Sequence, residues 1–460
     1  MTEHRFWAPR AWLAGAWREA VLLEVDALGR WARITPDMPK PEAGATVLAG
    51  PVLPGLVNAH SHAFQRAFVG LAERRETASD DFWSWRDRMY GVALALTPAQ
   101  LQAVAAQLYL ELLCGGYTHT CEFHYLQHRE TGQPYDDPAT LSWALADAAQ
   151  QAGMGLTVLP VLYERAGFNQ ATLRSDQRRF ASTPDSTYAL CQAINASGRP
   201  LLGAGVAIHS LRAATADDIA ALLRCVGDQD LPVHIHVAEQ TQEVTDCLQA
   251  TGERPIDWLA RQHLLDARWQ LVHATHATAQ EIGAVARSGA GVVLCPSTEA
   301  NLGDGLCDLP AWLGAQVPLT MGSDSLVSRC WAHELRWLDY GQRLGLRQRN
   351  VAAAPALGQS ATAARLFDAA LAGSGRAAGL PQWGLVPGAR ADALVLDTQA
   401  HGVLGLPASH HLDALVFGTD APALQEVYVA GQRVVAQGRH VRHDAISAQF
   451  VQAMAELWGA

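Results

Sequence analysis

No stretch of the sequence reaches the ~18 to 20 apolar residues that a membrane-spanning helix needs. The first twenty residues set Glu3, His4, Arg5, Arg10, Arg18 and Glu19 among their apolar positions, so a signal-peptide core is not expected either, and the cytoplasm is the expected compartment. Paired cysteines are missing: the eight, from Cys114 to Cys330, stand singly with no CxxC spacing. That argues against a zinc knuckle or a disulfide framework and for reduced thiols in a core. Basic charge is scarce. Lys and Arg number 34 against 45 Asp and Glu, a net charge of −11 at pH 7, the wrong sign for a chain whose work is gripping phosphate backbones. Nucleic acid is therefore not an expected partner. Lysine is almost absent, Lys40 being the one example.

Apolar material is plentiful: 49% of the 460 residues are hydrophobic and 17% charged, which suits a packed core and not a disordered chain. The length exceeds what one core usually fills, so a large domain with a smaller companion is expected. Between residues 50 and 330, short apolar or β-branched runs alternate with amphipathic stretches, the pattern of βα units building a parallel sheet. Eight such runs stand out: Val52–Ala59, Thr118–Phe123, Gly155–Leu162, Leu202–His209, Pro232–Ala238, Gln270–Thr275, Gly291–Pro296 and Pro318–Gly322. Eight is the number of a (β/α)8 TIM barrel, and the span from His60 to Asp324 is close to the ~250 residues typical of one.

Helix starts are marked by Thr97 before Pro98, Thr215 with Asp218, and Thr278 with Glu281. After the first, Leu101, Val104, Ala105, Leu108 and Leu112 form one apolar stripe, and Gly115–Gly116 stops it. The flanks carry short β-like runs, Ala20–Val25, Ala393–Leu396 and Val427–Val429, punctuated by Gly388, Gly431 and Gly438. The expected division is a small β-sandwich domain composed of residues 1–50 and 385–443, a barrel over 51–384, and a C-terminal helix in 444–460. That helix is expected over Ser447–Trp458, with Phe450, Met454 and Leu457 on one side.

The chemistry gathers at strand ends. His60 and His62 lie two apart at the end of the first run, so both side chains point to one face. The fifth run ends His234-Ile235-His236-Val237-Ala238-Glu239, the sixth His273-Ala274-Thr275-His276, and the eighth Ser323-Asp324-Ser325. A barrel places its active site at the C-terminal strand ends. A lone histidine among 18 is more often a core residue than a ligand, but four strand ends converging are another matter. Imidazoles with one carboxylate suit Zn²⁺ or Fe²⁺ with an open position for water, whereas Mg²⁺ or Ca²⁺ would want more oxygen ligands. Spacing leaves His234 and His236 equally eligible.

The order PGLVNAHSH, HIHVAE, HATH and SDS resembles the amidohydrolase superfamily, over about residues 50–330 with the flanking β domain also matching. The resemblance implies a metal held by His60, His62, His236 and Asp324, since its strand-five ligand lies three residues before the acid. It also implies that His273 and Asp324 take a proton from the attacking water and that Glu239 hands one to the departing nitrogen. With no lysine inside the barrel, a metal pair bridged by a carboxylated lysine is excluded and one divalent ion is expected, most simply Zn²⁺, with Fe²⁺ the alternative.

Substrate-facing candidates follow the same strand ends. Gln65-Arg66 and the stretch from Asp80 to Tyr90 come after the first strand, and read as a loop the latter offers an aromatic lid with arginine forks. Phe123-His124-Tyr125 follows the second strand and His209-Ser210-Leu211-Arg212 the fourth. An acidic protein that aims two arginines into a metal cleft suggests a substrate with two carboxylates. The runs HAFQRA, FWSWR, FHY and HSLR resemble the formimidoylglutamate deiminases of histidine breakdown within the superfamily. By that resemblance Gln65, Arg86, Tyr125, His209 and Arg212 would hold the glutamate carboxylates and the chain would be a homodimer. It departs from the pattern at Ile208, where proline is expected, a difference that bears on loop geometry more than on chemistry. The alternatives are a single-metal deaminase of a purine, pyrimidine or triazine ring, which would want stacking and amide partners in place of two arginines, and a metal-free barrel that only binds.

Overall fold

Gly55 cuts the first apolar run in two, and the halves enter different sheets. A Cβ at Gly55 would collide with the Thr118 side chain, so the chain passes close to its neighbour there and changes direction. The computed structural model describes residues 2–75 and 82–459. Within it Val52–Pro54 joins an outer sheet, and the barrel begins with β1 (Leu56–Ser61). It continues with β2 (Tyr117–His124), β3 (Gly155–Leu162), β4 (Val206–Ile208), β5 (Val233–Val237), β6 (Trp269–His273), β7 (Gly291–Leu294) and β8 (Leu319–Met321). The expected fourth run is interrupted at Gly205, where a Cβ would lie 2.5 Å from the Pro232 carbonyl oxygen. Its first part, Leu202–Ala204, pairs with β3 only.

Neighbouring barrel strands are parallel throughout, in chain order from β1 to β8. Strands covered on both faces have no polar side to present, which explains their continuous apolar runs. The ring is drawn nearly closed between β8 and β1 by a parallel bridge from Ser61 to Asp324, the Asp324 amide donating to the His60 carbonyl at 3.0 Å. The seam is clipped by Asn58, whose Oδ1 accepts from the Ser323 amide at 2.7 Å and whose Nδ2 reaches Ser323 Oγ at 2.8 Å. At the opposite end, the helix Thr362–Ala377 terminates against the barrel floor. There the Ala377 carbonyl accepts from His234, and the Ala378 carbonyl from Thr157.

The helices start where their caps indicate. Thr97 and Thr278 each complete a capping box, and Thr215 accepts from the Asp218 amide. The stripe from Leu101 to Leu112 is buried, and the helix Pro98–Cys114 stops at Gly115. Both ends of the chain meet in one nine-stranded, mostly antiparallel sheet that includes Thr2–Leu13, Ala16–Asp26, Val52–Pro54, Ala393–Leu396 and Leu424–Val429. One face encloses a small core of Phe6, Val21, Leu23, Val25, Trp31 and Tyr428, and the sheet curls enough to bring the Phe6 and Tyr428 rings to 4.9 Å although two strands lie between theirs. Leu394, Leu396 and Val427 join the barrel's own core. The last helix, His443–Trp458, begins four residues before the expected start, and Phe450, Met454 and Leu457 pack on the main core. All eight cysteines are free thiols, six of them buried. No helix among the described residues is long and apolar enough to cross a membrane.

Candidate active site

The strand ends bring four donors together at the C-terminal mouth of the barrel. Nε2 of His60 lies 3.0 Å from Nε2 of His236 and 3.3 Å from Oδ1 of Asp324, and Nε2 of His62 lies 3.3 Å from the same oxygen. Nδ1 of His62 faces the Phe123 carbonyl at 3.1 Å, and Nδ1 of His236 the His209 carbonyl at 3.0 Å. Carbonyls only accept, so both rings carry their proton on Nδ1 and turn a lone pair inward on Nε2. A tetrahedral ion with arms of about 2.0 Å has donor–donor edges of about 3.3 Å, which these separations approach. The residues present therefore fit a divalent metal, and His273 stands close enough to belong to a second triad with His60 and His236.

Electrostatics agree with that donor set. Burial pushes His60 down to about 3 and, helped by neighbouring imidazoles, holds His236 well below the usual histidine range, so both are neutral and can ligate. Burial alone would raise Asp324, but the His60 and His62 contacts outweigh it and hold the carboxyl well below its ordinary value. Beside them Glu239 Oε1 lies 3.6 Å from His273 Nε2, and Asp324 Oδ2 lies 3.8 Å from the same nitrogen. Burial lifts the Glu239 carboxyl to about 7, with His273 opposing the rise. Burial would lower His273, but Glu239, Cys295 and Glu299 around it overcome that and hold it well above 6.5.

These side chains are aimed by backbone that L-residues rarely adopt. Ala238, His273, Ala274 and Asp324 have φ of 51°, 68°, 48° and 44°. Such conformations cost about 1–3 kcal/mol each and persist where the surroundings over-determine them. Glu243 supplies one restraint, its carboxylate accepting from the Ala238 and Glu239 amides at 3.2 and 3.1 Å. Gly322 supplies room: a Cβ there would sit 2.6 Å from Cβ of His60.

The substrate-facing candidates line one cavity above the donors. Gln65, Arg86, Tyr125, His209 and Arg212 share its wall with His62, His236, Glu239, His273 and Asp324. His60 is fully buried and does not line the cavity itself. Read as a loop in the sequence, the lid is instead a helix, Phe82–Ala95. It lays Phe82, Trp85, Met89 and Tyr90 along the cavity at helical spacing, because aromatic and aliphatic residues at i, i+3, i+7 and i+8 share a face. Arg86 stacks on Trp83 at 4.6 Å and Tyr90 at 5.4 Å, with Asp87 3.6 Å away. Asp80 and Asp81 lie outside the described residues. Arg212, 8% exposed, stacks on Trp83 at 5.5 Å and forms no ion pair among the described residues. His209 lies against Tyr163, ring centroids 4.3 Å apart, and Gln65 Nε2 donates to Tyr125 Oη at 3.4 Å. His234, equally eligible by spacing, points at the barrel floor and is bonded to the Ala377 carbonyl at 2.8 Å.

Reading the sequence missed several participants. Tyr163 lines the cavity and accepts from Gln177 at 2.9 Å. It immediately follows the run Gly155–Leu162, and its place at a C-terminal strand end was the available signal. Cys295, directly after β7, offered the same signal, whereas Glu243 and Glu299 carry none, since what gives them a role is their distance from residues far along the chain.

Comparison with known proteins adds three findings. A model of the amidohydrolase family matches residues 52–434. The chain is 45% identical to a formimidoylglutamate deiminase of Pseudomonas aeruginosa over 98% of both chains, and 27% identical to a 5-methylthioadenosine/S-adenosylhomocysteine deaminase of Natronomonas pharaonis over 85% of this chain and 82% of that one. Among solved structures, an amidohydrolase from Brucella melitensis superposes with a TM-score of 0.94 at 40% identity, covering 99% of this chain and all of the other.

Proposed function

The chain belongs to the amidohydrolase family, and from that premise we propose that it hydrolyses N-formimino-L-glutamate to N-formyl-L-glutamate and ammonia. The observation that carries the choice of substrate is Arg212: a nearly buried guanidinium that forms no ion pair among the described residues, with Glu239 acting on it only from a longer distance, facing the same cavity as Arg86. A cation taken out of water without a partner is costly, and a substrate carboxylate supplies the missing charge. The likeness to the Pseudomonas aeruginosa formimidoylglutamate deiminase supports the same reading.

His60, His62, His236 and Asp324 would hold one divalent ion, with Zn²⁺ the best match to three imidazoles and a carboxylate. When bound, such an ion supplies Lewis acidity and brings the pKa of water toward neutrality. The rest is the work of side chains. His273 and Asp324 face the space where the attacking water must stand and accept its proton. As the C–O bond forms at the formimino carbon, the C=N electrons move to nitrogen. Glu239 protonates that nitrogen to an amine, and the proton held by His273 and Asp324 follows to it; as the C–N bond breaks, the new hydroxyl returns its proton to Glu239 and becomes the formyl C=O, and ammonia leaves. Gln65, Tyr125 and His209 orient the glutamate end beneath the two arginines. A homodimer in the cytoplasm belongs to this proposal, and sedimentation of the purified protein checks the assembly.

Ammonia release from N-formimino-L-glutamate, measured beside guanine and cytosine, tests the reading. Turnover of the acyclic dicarboxylate alone is expected, and turnover of a ring alone would overturn it. Arg86→Met and Arg212→Met are each expected to lower kcat/KM about 30-fold or more, because removing one member of a desolvated charge pair costs roughly 2–5 kcal/mol. Metal content should not change in either variant, and a neutral amidine lacking carboxylates should be affected far less. Equal losses on both compounds would point to lid damage and away from carboxylate binding.

A further inference from the structure

We infer that Glu299 is a positioning residue for His273, an inference that rests on the deimination reading above. Glu299 sits in the first turns of the short helix Pro296–Leu302, its side chain buried. Its Oε1 accepts from the Cys295 amide at 3.0 Å, which ties the carboxylate to the end of β7. The same oxygen stands 3.5 Å from Nδ1 of His273. On the other side of the ring, Nε2 faces Glu239 Oε1 at 3.6 Å and Asp324 Oδ2 at 3.8 Å. The imidazole thus bridges a carboxylate behind it and the reacting groups before it.

A carboxylate can only accept, so Nδ1 turned toward Glu299 carries the hydrogen, and once the ring's second proton has passed to Glu239, Nε2 offers its lone pair to the attacking water. The other group against this ring, the Cys295 thiol, is kept neutral by burial and is a weak acceptor at best. Orientation of a base by a third group, with stabilisation of the imidazolium it becomes, is the arrangement that makes a histidine an effective proton acceptor. The 3.5 Å separation is long, as such contacts often are before substrate is seated. The positive φ of His273 fits the same picture, since the ring is held in one orientation at a cost in backbone strain.

Two variants of the full-length metal-loaded protein test this. Glu299→Gln keeps an oxygen for the Cys295 amide and removes the charge. It is expected to lower kcat about 10- to 100-fold with KM within about twofold, at unchanged metal content and melting temperature. A residue that merely caps its helix would show no such split, and a variant retaining more than about half of wild-type kcat overturns the inference. Glu299→Leu removes the acceptor altogether. In ¹⁵N-histidine NMR without substrate, His273 is expected to carry hydrogen on Nδ1 in the wild type, in the neutral or the cationic ring, and to lose it in Glu299→Leu. A wild-type His273 protonated on Nε2 alone overturns the inference as well. Failure of the wild type to release ammonia from N-formimino-L-glutamate would instead count against the substrate reading, and the NMR result would still decide the role of Glu299.

Discussion

Glu239→Gln is expected to lower kcat by about 10²- to 10⁴-fold while leaving the metal bound, the range a general acid–base group supplies. The carboxyl is buried, raised to about 7 and within 3.6 Å of His273 Nε2, so near neutral pH it exchanges a proton readily in either direction. An amide of the same shape cannot. The backbone at residue 239 is fixed independently by Glu243, which accepts from the Glu239 amide at 3.1 Å, and the substitution should not disturb it. Metal content by elemental analysis and ammonia release by a coupled assay separate the two consequences. Retention of more than about a tenth of wild-type kcat would remove Glu239 from the proton-transfer role.

His60→Ala is expected to lose metal and turnover together. His60 is fully buried, with its Nε2 3.0 Å from His236 and 3.3 Å from Asp324, so alanine removes one donor from the centre of the set. A ligand that binds the folded state stabilises it by mass action, about 2.7 kcal/mol at a hundredfold excess over Kd. Added Zn²⁺ should therefore raise the melting temperature of metal-stripped wild type and leave that of His60→Ala unmoved. Elemental analysis of the wild type is expected to give one divalent ion per chain. Two tightly bound ions, or a His60→Ala variant that keeps both its metal and its activity, would contradict the donor set.

What could be read from the residues divides along a physical line. The strand ends were legible because they need only local signals: an apolar run closed by a polar residue, a threonine cap with its partner three residues on, a glycine stop. The barrel architecture assigns every strand end to one face, which made His60, His62, His234, His236, His273 and Asp324 candidates together, and the resemblance to the amidohydrolases singled out His236 over His234. The lid at Phe82–Ala95 was read as a loop. Its aromatics and arginines dominate the composition there, and the apolar face is turned toward the cavity, not the main core. The first and fourth runs were read as single strands, because Gly55 and Gly205 show their effect only against Thr118 and Pro232, residues distant in sequence.

By itself, then, the sequence determined where the barrel strands lie, how many parallel strands there are, which polar residues stand at their carboxyl ends, and that no lysine is available inside the barrel. Those properties depend on periodicity, capping and composition, which act over a few residues. Tertiary structure alone decided that His236 reaches His60 and the other donors while His234 reaches the Ala377 carbonyl, two residues apart on one face but at different depths in the barrel. It alone decided that Asn58 clips the seam to Ser323, that Arg212 forms no ion pair among the described residues, and that Glu299 stands behind His273. The reason is common to all: each is a distance between groups far apart along the chain, set by strand stagger, closure of the ring and left-handed backbone at Ala238, His273 and Asp324, none of which a local pattern encodes.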